Sequence, residues 1–571
     1  MTERLAWGLL AAALAQAAAG PAAAAGGAGA EWGPREAEHL FNRAAFGARP
    51  DEIARAVEHG REQTVAALIA GAFSDPFFFE PPQRPPRDEL AGMDEGQRRR
   101  ALAELRREQR DLLGAFAGWW VEQMLDGPDP LRERMTLFWH GYFTSSFRDM
   151  RDPLAMIGQN EFLRENALAR FGDLLRGIVR DPAMLEYLDN DNNRRGNPNE
   201  NFARELLELF TLGEGHYSEK DVKEAARALT GWVTPPGQDP VLVRRRHDRG
   251  PKTILGQTGD FDADGLLEIL LAQPACSRWL AGKLLAYLEG RVPGEERLAA
   301  YAELLRTSDY RIDRFLEQLF NDPAFYSEEL MGQRIAGPID YLVGTARRLG
   351  VQPPGVLVWL AAGQLGERLL DPPNVKGWEG GRSWITTATY LQRGNFAGMM
   401  LGVVSIQDVL ADDPALSMES TQLEPSIPVG GEVLVGEGME QEARAQRGSP
   451  PGPGTARTGR AARPRALGSE MSRIARLFEG GYRPGIYLSA RCQRSGAVTD
   501  PQIVEQLADE LLAVPLTPQG RSTLLGFLER ERSALGAADG RMFDGEHVIE
   551  AEKLLRRLAH LVLSLPEAQL N

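Results

Sequence analysis

With 571 residues, a formal net charge of −15, 43% hydrophobic and 25% charged residues, the chain has the composition of a globular protein, not of a fibrous or wholly disordered one. The acidic balance, with only short Arg runs against it, argues against a nucleic-acid binder. Length alone suggests roughly two to four domains, and two cysteines, Cys276 and Cys492, can supply neither a disulfide framework nor a zinc cluster.

Residues 1–30 read as a signal peptide: Arg4 gives the positive start, Leu5 to Ala19 an apolar Ala/Leu run, and Ala28-Gly29-Ala30 a small-residue cleavage site. The run is short for a span of about 20 residues, and no later segment is apolar enough to cross a membrane. The expectation is an exported protein, periplasmic or secreted, without a transmembrane span once the leader is removed. Pro81 to Pro86 breaks the chain before a charged helix, Gln97 to Ala117, whose Arg98-Arg99-Arg100 run reads as a solvated face.

Asp-Pro recurs at Asp129, Asp152, Asp181, Asp322, Asp371 and Asp500, mostly ahead of helix-period apolar patterns. An Asp cap accepts an orphan N–H, and Pro at the first helical position has none to lose. Period-two alternation is scarce, and Val241 to Arg246 is the best candidate strand. The fold expected is therefore mostly α: a large multi-helix orthogonal domain with at most a short β element. Its main body covers residues 31–405. Residues 406–470 form a Gly-, Pro-, Arg- and Glu-rich insert expected to be disordered. Residues 471–571 return to helical periodicity, as in Ile503, Leu507, Leu511 and Leu554, Leu558, Leu561, and are expected to pack back onto the same domain. Cys276, in the helical-looking stretch PACSRWLAGKLLAYL, suits a small buried thiol.

Six stretches stand out: HLFNRAAFGARP (His39 to Pro50), RERMTLFWHGYF (Arg132 to Phe143), NPNENFARELLELFTLGEG (Asn197 to Gly215), ARALTGW (Ala226 to Trp232), HDRGPKTILG (His247 to Gly256) and PPNVKGWEGGRSWITT (Pro372 to Thr387). In this order they resemble the family known as domain of unknown function 1800, from about residue 36 to the C-terminus. The resemblance implies a large exported bacterial protein whose activity is not established. It also implies a partner, a co-encoded exported protein similar to phosphatases and sulfatases. Tyr142 stands where relatives tend to carry a second His, and His216-Tyr217 where they tend to carry Gly-Tyr.

The stretch from Leu185 to Leu212 is the most informative. Asn197 reads as a helix cap, Pro198 as the first helical residue and Glu200 as the capping-box partner, with Phe202, Leu206, Leu209 and Phe210 on one face and Asn201, Arg204, Glu205 and Glu208 on another. Asp189, Asp191 and Asn193 begin an oxygen spacing like that of a calcium loop, which leaves calcium or another divalent metal as a candidate cofactor. Arg194 stands where such a loop needs Gly, so an Asn-rich capped loop is the favoured reading. A second match at Asp260, Asp262 and Asp264 lacks the closing Glu, since Leu271 stands there, and reads as a helix start.

His140, in line with Glu133 and Thr136, is either a general base or metal ligand, or a hydrogen-bonded group between helices. His247-Asp248 and Lys252 lie in a polar loop suited to an anionic group. Trp378 and Trp384 flank a Gly pair and either stack on a flat ligand or fill a groove. No GxSxG, HExxH, Walker or dinucleotide motif appears.

Two functions follow. In the first, an extracytoplasmic binding or assembly protein presents the Asp189 loop and the Trp378 loop, with Asn201, Arg204, Asp248, Lys252, Trp378 and Trp384 as ligand contacts, to a surface polymer or to the co-encoded partner. In the second, a hydrolase-like enzyme uses His140, Glu205 and His247. Convergence of His140, Glu205, His247 and Trp378 in one crevice separates the two.

Overall fold

The structure, a computed structural model, describes residues 31–72, 76–82, 85–150, 152–235, 239–404, 484–534 and 548–571. Residues 1–30 and 406–470, read from the sequence as a leader and an insert, lie outside the described residues. Within them the chain is a succession of α-helices with two two-stranded antiparallel sheets. No described helix is long and apolar enough to cross a membrane.

The Asp-Pro starts form as their chemistry dictates. Asp129, Asp152, Asp181 and Asp322 each accept a backbone N–H of the following turn, from Arg132, Leu154, Met184 and Ala324. Two others differ. Thr499, not Asp500, precedes the helix Asp500–Leu511. Asp371 starts no helix, because its carboxylate is engaged by Ser146 Oγ (2.7 Å) and Arg148 (2.9 Å).

The helices enclose two large apolar clusters. One gathers Trp120, Met124, Leu342, Leu360, Phe396, Leu507 and Leu558. The other gathers Trp139, Phe143, Phe171, Leu206, Phe210, Leu284 and Phe315. In the first, Glu95–Asp126 runs along Gly355–Gln364, and the crossing depends on Gly355, where a Cβ would lie 2.0 Å from the Gly118 carbonyl oxygen. The helix Pro130–Tyr142 lies between the clusters, giving Leu137 to one and Leu131, Met135, Phe138 and Trp139 to the other.

The C-terminal helices pack back as expected. Val548–Leu563 lies against Thr387–Met400 and Leu488–Ser495, and Asn571 exchanges backbone hydrogen bonds with Arg334. The cysteines are both buried and unpaired, Cys276 in one cluster and Cys492 in the other.

Among the described residues, the β content is confined to two short hairpins, of which the sequence marks one strand. Val241–Leu242 pairs with Trp232–Val233, and Lys252–Ile254 pairs with Gln257–Gly259. Leu255 (φ 46°) and Gly256 (φ 81°) turn this second hairpin in the left-handed region, a two-residue geometry usually signalled by Asn-Gly. The segment from Asn197 also differs from its reading. The helix begins at Asn201, and its first turn is held by Asn199 Oδ1 on the Asn201 N–H, while Asn193 Oδ1 accepts from the Asn199 N–H, both at 3.0 Å. Asn197 instead bridges to Arg194.

Candidate functional site

His140 occupies the last turn of Pro130–Tyr142, and the side of the helix that the sequence marks as polar is buried as well. Glu133, Arg134, Thr136 and His140 are each no more than 1% exposed. A helix between two cores has no solvent face, so its polar groups must find partners. Glu133 accepts from Trp120 Nε1 (2.9 Å) and Arg164 Nε (2.9 Å). His140 Nε2 accepts the Leu370 N–H at 3.0 Å. Its ring lies 5.4 Å from Trp120 and 5.7 Å from Trp378, centroid to centroid. Burial pushes its pKa down to about 4, because the imidazolium would be poorly solvated there.

The Trp378 loop is pinned onto this helix end. Thr144 Oγ1 donates to the Val375 carbonyl at 2.6 Å, and Trp378 lies over Gly141. Gly377 (φ 77°) approaches so closely that a Cβ would lie 2.6 Å from the Gly141 carbonyl oxygen. This carries Lys376, largely exposed, to 4.0 Å from Glu208.

Glu205 and Glu208 project from an irregular helix. Asn201–Glu205 is α-helical, but Leu206–Thr211 widens into a π turn, with Thr211 Oγ1 donating to the Leu206 carbonyl (2.6 Å). Such widened turns are rare and are frequently found at functional sites. Both carboxylates are half-buried, and Glu208 accepts from Tyr217 OH at 3.0 Å. Burial, then the neighbouring Glu208, holds the Glu205 carboxyl above its usual range, with Lys376 and Arg204 opposing. Half-buried Tyr187 is raised to about 12 by burial and by the carboxylates of Asp149, Asp371 and Glu205.

Lys376, Glu205, Glu208, Tyr187 and Tyr217 therefore form one polar cluster beside the Trp378 loop, whose ring lies against buried His140. The arrangement offers an aromatic ring, a cation and carboxylate acceptors to a ligand. Lys376, Tyr187 and Tyr217 were not selected from the sequence. Lys376 lies inside the same Pro372 to Thr387 stretch as the chosen tryptophans, so its place there was the available signal.

A match to the family described as a protein of unknown function, DUF1800, covers residues 39–570. The chain belongs to the DUF1800 family. No curated protein and no solved structure matches it.

Among the remaining candidate residues of this DUF1800 protein, Arg204 borders this cluster, acting on Glu205 and Tyr217. His247 Nδ1 is 2.9 Å from the Thr230 carbonyl oxygen, which only accepts, so Nδ1 carries the proton. Asp248 is paired with Arg227 (2.9 Å), which with the Gly250 N–H holds it down to about 2. Lys252 is fully buried and reaches the Gly250 carbonyl and Asp260. Arg204 is bound to Glu219 at 2.7 Å, and Asn201 Nδ2 donates to the Leu188 carbonyl. Trp384 packs on Gly366, away from Trp378.

Of Asp189, Asp191 and Asn193, the two aspartates act on one another, while Asn193 is turned into the fold. Asn193 is buried, its amide donating to Asn190 Oδ1 and the Ala226 carbonyl. Asp189 accepts from Asn192 and Asn199. Among the described residues, no three His, Cys, Asp or Glu side chains are grouped to hold a metal ion.

Proposed function

We propose that this DUF1800 protein is an exported binding or assembly factor that holds a hydroxyl-rich surface polymer in the crevice between Trp378, Lys376 and the Glu205–Glu208 turn. The observation that carries this reading is the state of His140. Its accepting nitrogen is engaged by a backbone N–H and its ring is sealed, so it has no access to a substrate proton. The groups that do reach the crevice suit recognition: Trp378 for the flat face of a sugar, and the two carboxylates as acceptors for hydroxyl groups. The leader-like sequence at 1–30 supports export, and the co-encoded phosphatase- or sulfatase-like protein implied by the family resemblance is the protein partner to test.

The test is calorimetric titration of the purified protein with soluble surface-polysaccharide fractions. Binding is expected, and Trp378→Ala is expected to weaken it by about 1–2 kcal/mol, as loss of a central aromatic contact does. Equal binding by wild type and variant would remove the crevice from the account. One observation favours a hydrolase as the second reading: burial and the neighbouring Glu208 raise the Glu205 carboxyl above the usual carboxylate range, the direction a proton donor requires. Release of new reducing ends from the polymer, abolished in Glu205→Gln, would replace binding with hydrolysis.

A further inference from the structure

The two arginine runs that look incidental in the sequence meet in the fold. Arg194 and Arg195 belong to the Asn-rich loop, and Arg244, Arg245, Arg246 and Arg249 to the turn after the first hairpin. The Arg195 N–H donates to the Arg246 carbonyl at 2.7 Å, and the Gly231 N–H donates to the Asn193 carbonyl at 3.0 Å, so the loops are joined by backbone hydrogen bonds. Arg194, Arg195, Arg244, Arg245 and Arg249 are exposed.

Among the described residues, none of these five takes part in an ion pair or side-chain hydrogen bond, although the arginines around them do. Arg180 holds Asp264, Arg204 holds Glu219 and Arg227 holds Asp248. The nearby acids offset only part of this charge: Asp248 is taken by Arg227, which leaves Asp189, Asp191 and exposed Asp239 against six arginines. A chain of net charge −15 thus presents a concentrated cationic surface. Beside it the hairpin exposes two aliphatic side chains, Val241 at 46% and Leu242 at 39%.

We infer that this face docks onto an anionic phospholipid bilayer. Guanidinium groups pair with lipid phosphates in a forked geometry and hold their charge at any physiological pH. Exposed aliphatic groups next to cations suit the headgroup–acyl boundary, whereas a sugar polymer would call for an exposed aromatic ring. Among the described residues of this face, the one Trp, Trp232, is half-buried with Arg180 over its ring at 5.3 Å. The docking is peripheral and independent of what the crevice holds.

Co-sedimentation of the whole purified protein with phosphatidylglycerol and phosphatidylcholine vesicles tests it. Binding to the anionic vesicles only is expected, weakening as salt rises. Arg244→Gln with Arg245→Gln should lower the apparent affinity by roughly thirtyfold, at about a fivefold loss per arginine near an anionic surface. Val241→Ser with Leu242→Ser should weaken binding while leaving its salt dependence intact. These residues are exposed, so unchanged melting separates lost docking from lost folding. Equal binding to both vesicles, full competition by millimolar inorganic phosphate, or capture by a sulfated polysaccharide with no vesicle binding would each overturn the inference, the last two assigning the patch to a free anion or a polymer.

Discussion

His140 shows how a residue with the right chemistry is withdrawn from it by packing. Neutral in the folded protein down to about pH 4 and ordinary in the unfolded chain, it makes the unfolded state bind more protons between its two titrations. Its contribution is therefore intact above the unfolded value near 6.5 and is lost as pH falls towards 4, by roughly 3 kcal/mol in all. Denaturant titrations of wild type and His140→Gln between pH 4 and 7 should show the difference in their pH slopes. Equal slopes would mean that the ring is solvated. Asp181 works in the opposite sense. Burial pushes its carboxyl up to about 7, so the stability tied to its neutral form is present at low pH and fades as pH rises through that value. Neither shift is legible in the sequence, because both arise from burial by elements elsewhere in the chain.

At the scale of single elements, the Trp378 loop depends on its backbone. Gly377 combines a left-handed conformation with contact against the Gly141 carbonyl. Gly377→Ala is expected to cost about 1–3 kcal/mol, read as a lowered melting temperature, and to loosen Trp378 enough to weaken crevice binding. A variant that melts and binds like wild type would show that the loop adjusts freely.

Local signals of this kind were partly legible. Asp129, Asp152 and Asp181 with their prolines marked true helix starts, since cap and fixed φ act within one turn. The second hairpin escaped because its Leu255-Gly256 turn places a bulky residue where Asn is usual. The cap falls away from Asn197 because Asn193 and Asn199 compete for the same role, Asn193 being fixed by Asn190 and by Ala226, the latter distant in sequence. The π turn left no mark, since Leu206 to Thr211 is as helix-forming as its neighbours.

For the whole molecule, the apolar periodicities yielded the helical body and the return of the C-terminal helices, but not its division into two clusters around one shared helix. Period alone marks which side of a helix is apolar. It does not reveal when the polar side is covered too, as happens to Glu133, Arg134 and His140. Of the four groups whose convergence separates the two functions, His140 and Trp378 meet, Glu205 stands in the cluster with Glu208 and Lys376, and His247 is held elsewhere by Thr230. The arginine face escaped for a related reason: Arg194-Arg195 and Arg244 to Arg246 are some fifty positions apart and are joined only by backbone hydrogen bonds between loops.

Cys276 and Cys492 place one native thiol reporter in each half of this architecture. Burial pushes both thiols up to about 12, so a maleimide or disulfide reagent reacts only when a half opens. If the shared helix Pro130–Tyr142 makes the halves open as one, mass spectrometry should find both sites modified at the same rate in mild denaturant. A fast and a slow site would instead identify which half breathes first.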